Sequence, residues 1–292
     1  VMQSDGSGDV ATIIKGIDYA AANGADVISM SFGGYSHSIA EEQALARAYS
    51  KAVLVAAAGN DHRCIYTGCH QIGPGPMFPA AFTFVLGVQA YDAEFSNYDC
   101  DGPIYSEYGE ENLYNYELTA PGTKIMSTYP DGQYKSLNGT SMACPLVAGA
   151  VSRLLQTKDY LSKELLFGDL IHTAGSNVDF IAAYNITDAD RKPNTTLVSY
   201  RIDDSEGGDG DGRFDAGETI DFYPMVRNDW GTANNVRVWI DEAEFERDVI
   251  EVLEGYESVS FEKPLSSYAK AESANPIRFK LADNVTDGRH CR

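Results

Sequence analysis

Over residues 9–60 the sequence switches its hydrophobic period three times, and this alternation limits the possible folds more than any other feature. From Asp9 onward, Ile13, Ile14, Ile17, Ala20 and Ala21 fall on one helical stripe, with Asp9 placed as N-cap and Gly24 as stop. Val27, Ile28, Met30 and Phe32 then form a short apolar run that ends at Gly33-Gly34. A second helical pattern follows over about 39–52, with Ala44, Leu45 and Ala48 inward. Residues 53–58 are uniformly apolar, too few for a typical helix and bounded by Gly59-Asn60, so they read as a strand buried on both faces. Strands joined by helices of this length call for a parallel sheet with right-handed crossovers, and such sheets bind ligands beyond the carboxyl ends of their strands. Here those ends are residues 31–34 and 59–60.

A further strand is expected at 83–88, then a polar stretch rich in Tyr, Asp and Glu up to about Tyr116. Helix resumes at Ser141. Met142, Leu146, Ala150 and Leu154 fall on one line and Ala143, Val147 and Val151 on the next, which predicts a mostly buried helix with Pro145 in its first turn. The composition shifts at residues 185–194, which are polar, contain Pro193 and read as a linker between an α/β domain at 1–184 and a second domain at 195–292. Short alternating runs at 196–202, 219–227, 235–240, 258–262 and 276–280 predict an all-β sandwich, with closing strands expected beyond the turn signal Asp287-Gly288.

Of the 292 residues 43% are hydrophobic, enough for a sizeable core, and 22 Lys plus Arg against 43 Asp plus Glu give a net charge of −21. Such a surface repels a phosphate backbone, so nucleic acid is not an expected partner. No run approaches the roughly 20 apolar residues needed to span a bilayer. The sequence opens at Val1, with neither an initiator Met nor a leader, and so leaves localisation to indirect inference. The five cysteines are odd in number; Cys64 and Cys69 lie close together in a Gly- and Pro-rich segment and Cys100 in another polar loop, so a bridge involving these is expected, while Cys144 reads as a small core residue.

The segment N-G-T-S-M-A-C-P at residues 138–145 carries the strongest chemical signal. A Ser between a Gly-Thr turn and a buried helix presents its hydroxyl where free backbone N–H groups can stabilise a developing anion, which suits a nucleophile. On spacing alone, the commoner role for a Ser in this place is an N-cap. The segment does not fit the G-x-S-x-G elbow, because Ala143 stands where the second Gly belongs.

Gly139-Thr140-Ser141-Met142-Ala143, followed by Pro145 and Val147-Ala148-Gly149-Ala150, resembles the serine motif of the subtilisin-like serine proteases. Other motifs stand in the same order. Residues 24–34, G-A-D-V-I-S-M-S-F-G-G, resemble that family's substrate-binding edge strand, and Val55-Ala56-Ala57-Ala58-Gly59-Asn60 resembles the strand that carries its oxyanion-hole Asn. Pro79-Ala80-Ala81-Phe82, Phe95-Ser96-Asn97 and Ala120-Pro121-Gly122 resemble further landmarks. The resemblance implies an endopeptidase acting on polypeptides through an acyl-enzyme on Ser141, with Asn60 and the Ser141 N–H holding the oxyanion. It also implies two walls for the substrate side chain, Ser31-Phe32-Gly33 and Ala57-Ala58-Gly59.

The family's mechanism also needs a His base and an orienting Asp upstream of the Ser. None of His37, His62, His70, His172 and His290 is followed by Gly-Thr, and Leu146 replaces the His that usually follows the Pro. The expectation is that the chain is the C-terminal part of a longer protease whose N-terminal part carries both residues. Two other readings are a non-catalytic homologue that keeps the peptide groove and a calcium-dependent adhesion or spacer module.

In the second domain, G-G-D-G-D-G-R-F-D-A-G-E at 207–218 follows the EF-hand spacing, with Asp209, Asp211, the Arg213 carbonyl, Asp215 and Glu218 as candidate calcium ligands. Gly207 departs at the first position, so Asp204 or Glu206 would have to supply that ligand; the alternative is an acidic turn without metal. The loop resembles that of immunoglobulin-like modules appended to secreted bacterial peptidases, which implies a secreted or cell-surface protein.

Overall fold

In the computed structural model Asp9 caps the first helix, its carboxylate accepting the Thr12 N–H at 2.9 Å, and α1 runs Val10–Ala22. The structure describes residues 7–65, 75–91, 93–98, 116–158, 162–175, 177–240, 249–267 and 269–284. α1 stops as expected: Gly24 turns to φ +80° and the Ala25 N–H reaches back to the Ala20 carbonyl at 3.1 Å.

Strand β1 (Val27–Met30), helix α2 (Ile39–Tyr49) and strand β2 (Val53–Ala57) follow, and every residue of β2 is buried. Burial of a side chain such as Leu54 stabilises by about 1.5–3 kcal/mol, so a five-residue strand in this position is held by packing on both faces. β3 (Leu86–Tyr91) and β4 (Leu118–Pro121) complete a parallel sheet of order β1-β2-β3-β4. Its register pairs Val27 with Val53, Val55 with Leu86 and Val88 with Leu118.

Two boundaries and one strand differ from the sequence reading. α2 ends at Tyr49 rather than 52, because the Lys51 and Ala52 N–H groups both turn back to the Ala48 carbonyl; Ala52 is buried as part of a turn. β3 begins at Leu86 rather than 83. The apolar residues before it form successive turns, Phe82 N–H to Pro79 O and Val85 N–H to Phe82 O, and pack into the core without joining the ladder. β4 was not expected at all, since its Thr119 and Pro121 hide the apolar alternation.

Beyond β4, strands β5 (Ile125–Tyr129) and β6 (Gln133–Leu137) form an exposed antiparallel hairpin. Helix α3 (Thr140–Thr157) then packs against all four parallel strands. Its buried stripe is Ala143, Val147 and Val151 with Cys144 and Ala148, whereas Leu146 is 41% exposed, so the Met142–Leu146 line faces partly outward. Because α3 starts at Thr140, Pro145 lies in its second turn and not its first. Helices α4 (Lys163–Thr173) and α5 (Phe180–Asn185) end the first unit, and the chain divides between Ile186 and Thr187. Among the described residues no helix is long and apolar enough to cross a membrane.

The second unit is antiparallel β throughout its described strands. β8 (Thr219–Asn228) is its centre, paired with β7 (Thr195–Asp203), with β12 (Lys270–Glu272) and with β13 (Ile277–Leu281), which in turn carries β10 (Ile250–Val252). A separate pair joins β9 (Arg237–Trp239) to β11 (Ser258–Ser260). Val226 of β8 shares one apolar cluster with Val238 of β9 and with Phe261, so both sheets contribute to a common core. The five expected strands are present with ends shifted by up to two residues, while β10 and β12, three residues each, were too short to read.

Cys64 is disulfide-bonded; Cys69 and Cys100, the other members of the expected bridge, lie outside the described residues, as do most of the polar stretch before Tyr116 and the Asp287-Gly288 turn. Cys144 is free and fully buried, and burial pushes its thiol up, in keeping with a core role.

Candidate active site

α3 has Gly139 as its N-cap residue, and Ser141 is the second residue inside the helix. Ser141 is therefore not a capping side chain, and its N–H belongs to the first turn, where no intrahelical acceptor exists. Its Oγ lies 3.5 Å from the Ser31 carbonyl, and no His, Asp or Glu side chain among the described residues hydrogen-bonds to it. The described histidines are engaged elsewhere: His37 pairs with Glu42 at 2.8 Å, the ring of His62 packs 5.4 Å from that of Tyr98, and His172 belongs to α4.

Asn60 is turned by Thr140. The Asn60 Oδ1 accepts both the Thr140 N–H at 2.8 Å and the Thr140 hydroxyl at 3.1 Å, which identifies that atom as oxygen and leaves Nδ2 as a donor. Nδ2 makes no hydrogen bond among the described residues, and it lies close to the same point as the Ser141 backbone nitrogen. A Cβ placed on Gly139 would stand 3.5 Å from Asn60 Nδ2 and 3.6 Å from Ser141 N. The two nitrogens, with Met142 Sδ at 3.5 Å, thus border a position that the missing side chain of Gly139 leaves free.

The turn that carries Asn60 is fixed by Asn97, which is 1% exposed. Its Nδ2 donates to the Ala58 carbonyl at 2.8 Å and to the Tyr35 hydroxyl at 2.9 Å, while its Oδ1 accepts the Asp61 and Arg63 N–H groups at 3.1 and 3.0 Å. Gly59 at φ +105° lies against it; an added Cβ would come within 2.3 Å of the Asn97 amide. In the sequence Asn97 stood only as part of a landmark motif, and this role was hidden because every partner is at least 34 positions away along the chain.

The two expected walls leave the ends of neighbouring strands. Met30 pairs with Ala56 in the β1–β2 register, so Ser31-Phe32-Gly33 and Ala57-Ala58-Gly59 depart side by side. Ala57, Ala58 and Gly59 are buried, Phe32 is half-buried, and Ser31 and Gly33 are exposed. Met77 reaches between the walls. A Cβ on Gly33 would lie 2.9 Å from its Cγ, and one on Gly59 would lie 2.5 Å from its Sδ. Phe78 closes the far side through two 2.8 Å backbone bonds with Gly34.

In the second unit the acidic loop folds back on itself. Asp204, Asp209 and Glu218 offer oxygens within 4.8 Å of one another, and so do Asp209, Asp211 and Asp215. Asp204 is 2% exposed, whereas Glu206 turns to Arg278 at 3.2 Å. One Glu218 oxygen accepts the Asp209 N–H at 2.9 Å; the other, Oε2, is buried with no hydrogen-bond partner. A buried carboxylate oxygen without a partner is costly unless a cation meets it, so the donor set fits a hard, oxygen-seeking ion. Gly212 at φ +78° makes the sharp turn at the sixth position, and the Arg213 side chain is 80% exposed, with its Nε 3.8 Å from Asp211 Oδ2.

The chain belongs to the Subtilase family, which it matches over residues 1–210. It is 41% identical over 175 residues to subtilisin DY of Bacillus licheniformis, covering 60% of this chain and 58% of that protein. It is 35% identical over 176 residues to subtilisin Savinase of Lederbergia lenta, covering 60% and 59%. Among solved structures, sphericase superposes with a TM-score of 0.50 at 28% identity, covering 60% of this chain and 58% of that one. The chain thus spans just under three-fifths of the length of these relatives.

Proposed function

We propose that this chain is the serine-bearing part of a secreted endopeptidase that cleaves polypeptides. The closeness of Asn60 Nδ2 and the Ser141 backbone nitrogen to the open side of Gly139 carries this reading, because it is the arrangement an oxyanion requires beside a nucleophilic hydroxyl. Ser141 Oγ forms a bond to the scissile carbonyl carbon and gives up its proton to an imidazole base; the carbonyl oxygen, now negative, settles between the two donors. The C–N bond then breaks as the base returns the proton to the leaving amine, and water releases the acyl group from Ser141 by the same path. In this reading the base and its orienting Asp, which the family's mechanism requires, come from an N-terminal part of the same protein. The substrate side chain enters between residues 31–33 and 57–59.

The second unit is an accessory β-sandwich of the immunoglobulin type. Its acidic loop holds calcium through Asp204, Asp209, Asp211, Asp215 and Glu218 with the Arg213 carbonyl. Such an ion would neutralise carboxylates that otherwise repel one another and would give the buried Glu218 Oε2 a partner.

The test is to produce the protein with and without its preceding coding segment and to measure peptide hydrolysis and labelling by a sulfonyl fluoride. The longer protein turns over substrate and is labelled, Ser141→Ala removes both, and the present chain alone retains at most weak residual activity. A longer protein that binds peptides tightly but neither cleaves them nor reacts at Ser141 would make this a binding homologue.

A further inference from the structure

In an α-helix the carbonyl of one residue accepts the N–H of the residue four positions on. Four positions after Ser141 stands Pro145, inside α3, and it has no N–H to give. The Ser141 carbonyl is nevertheless satisfied: the Ser31 hydroxyl, from the exit of β1, donates to it at 2.9 Å. In the reverse direction Ser141 Oγ lies 3.5 Å from the Ser31 carbonyl. The two serines therefore engage each other side chain to main chain from both sides, across 110 positions of sequence.

The surroundings narrow what this contact does. One turn deeper, Cys144 Sγ approaches the Val55 carbonyl at 3.6 Å in a buried contact that packs helix against sheet, and it lies 3.5 Å from the Oγ of the more exposed Ser29. The Ser31 contact lies at the open end, where Ser31 is exposed and Ser141 half-buried, so it contributes little to the core and much to the placement of the first turn.

We propose that Ser31 is a positioning residue for Ser141: its hydroxyl replaces the helical donor that Pro145 removes and so fixes the Ser141 Oγ and N–H relative to the strand exit along which the substrate lies. This rests on the proposed function for its kinetic consequence, while the hydrogen bond itself stands independently of it. A peptide that pairs with residues 31–33 then rests on the same segment that holds the nucleophile.

The test is a double-mutant cycle between Ser31 and Pro145, because Pro145→Ala gives position 145 an N–H that can take over the Ser141 carbonyl. In the longer protein, Ser31→Ala lowers kcat about 3- to 10-fold, the range one neutral hydrogen bond covers, with KM nearly unchanged. Ser31→Thr, which keeps the hydroxyl, retains most of the rate. Adding Pro145→Ala to Ser31→Ala restores kcat. Additive losses in the cycle, or a Ser31→Ala effect confined to KM, would overturn the proposal and leave Ser31 as a wall of the substrate site. Melting temperatures of the same four proteins report the hydrogen bond without any activity: Ser31→Ala lowers Tm and Pro145→Ala recovers it. If the parent protein shows no turnover the function proposed above fails, and coincident Tm values for the parent and Ser31→Ala would then sink the present inference separately.

Discussion

The side-chain carbonyl of Asn60 accepts the Thr140 N–H at 2.8 Å, and this one contact decides which end of the Asn60 amide faces Ser141. The Thr140 hydroxyl strengthens the arrangement by donating to the same oxygen at 3.1 Å and accepting the buried Gly59 N–H at 3.1 Å. Asn60 is thereby held from both sides of the cleft, by α3 and by the turn after β2.

The first prediction concerns Asn60 in the longer protein of the function proposed above. Asn60→Leu removes the donor and lowers kcat by about 10²- to 10³-fold, the loss known for one oxyanion-hole donor in a subtilisin, with little change in KM. Asn60→Asp keeps the oxygen toward Thr140 but loses the N–H and places negative charge beside the oxyanion, so its kcat falls at least as far. Steady-state kinetics on one peptide substrate decide the matter; an effect that appears mainly in KM makes Asn60 a substrate contact and not part of the oxyanion hole.

A second prediction follows from Met77, whose side chain lies against both Gly33 and Gly59. With the space between the walls partly filled by a thioether, substrates with a small side chain before the cut are favoured over aromatic ones. Met77→Ala widens the gap and raises kcat/KM for an aromatic side chain by about 10-fold or more relative to alanine, since a few buried methylene equivalents are worth 1–3 kcal/mol. Paired substrates that differ only at that residue measure it, and an unchanged ratio excludes Met77 from the pocket.

What the sequence disclosed and what it hid follow from the reach of each signal. α1 was legible because its cap, stripe and stop are local: Asp9, Ile17 and Gly24. β2 was legible because a strand buried on both faces must be apolar at every position. β4 and the β5–β6 hairpin were not, since Thr119, Ser127 and Lys135 break any alternation and the hairpin is held by backbone pairing more than by an apolar face. At the candidate site, Ser141 and Asn60 were found through ordered motifs. The roles of Thr140, Asn97 and Met77 and the Ser31–Ser141 engagement were not, because each depends on partners 34 to 110 positions distant or on the unpatterned residues before β3.

The third prediction concerns pH. Glu41, in the first turn of α2, is 6% exposed, and burial raises its carboxyl above the ordinary Glu value, with the nearby His37 opposing. The folded state then holds a proton that the unfolded state releases, so the unfolded chain binds fewer protons between the two values and stability falls as pH rises through that window. Glu41→Gln removes the dependence. Urea unfolding of the variant and the parent should agree below the ordinary Glu range and diverge above it, with the variant the more stable at neutral pH. A variant less stable than the parent at neutral pH would show that the ionised carboxylate is favoured at this helix N-terminus and that burial does not govern it.

The fourth prediction concerns the acidic loop. Asp209, Asp211, Asp215 and Glu218 crowd within a short segment, and Asp204 offers an oxygen within 4.8 Å of Asp209 and Glu218, whereas Glu206 turns to Arg278. A cation that binds only the folded loop stabilises it by mass action, about 2.7 kcal/mol when its free concentration is 100 times Kd. Calcium therefore raises the melting temperature of the chain, and magnesium does so less, because it demands stricter octahedral geometry and gives up its waters reluctantly. Asp204→Asn and Glu218→Gln each remove most of the calcium effect, since they take ligands from the buried end of the loop. Glu206→Gln breaks the contact with Arg278 but leaves the calcium effect in place. Melting curves that coincide in calcium and in chelator would leave the loop a solvated acidic turn, and a calcium effect lost on Glu206→Gln but kept on Asp204→Asn would move the first ligand to Glu206.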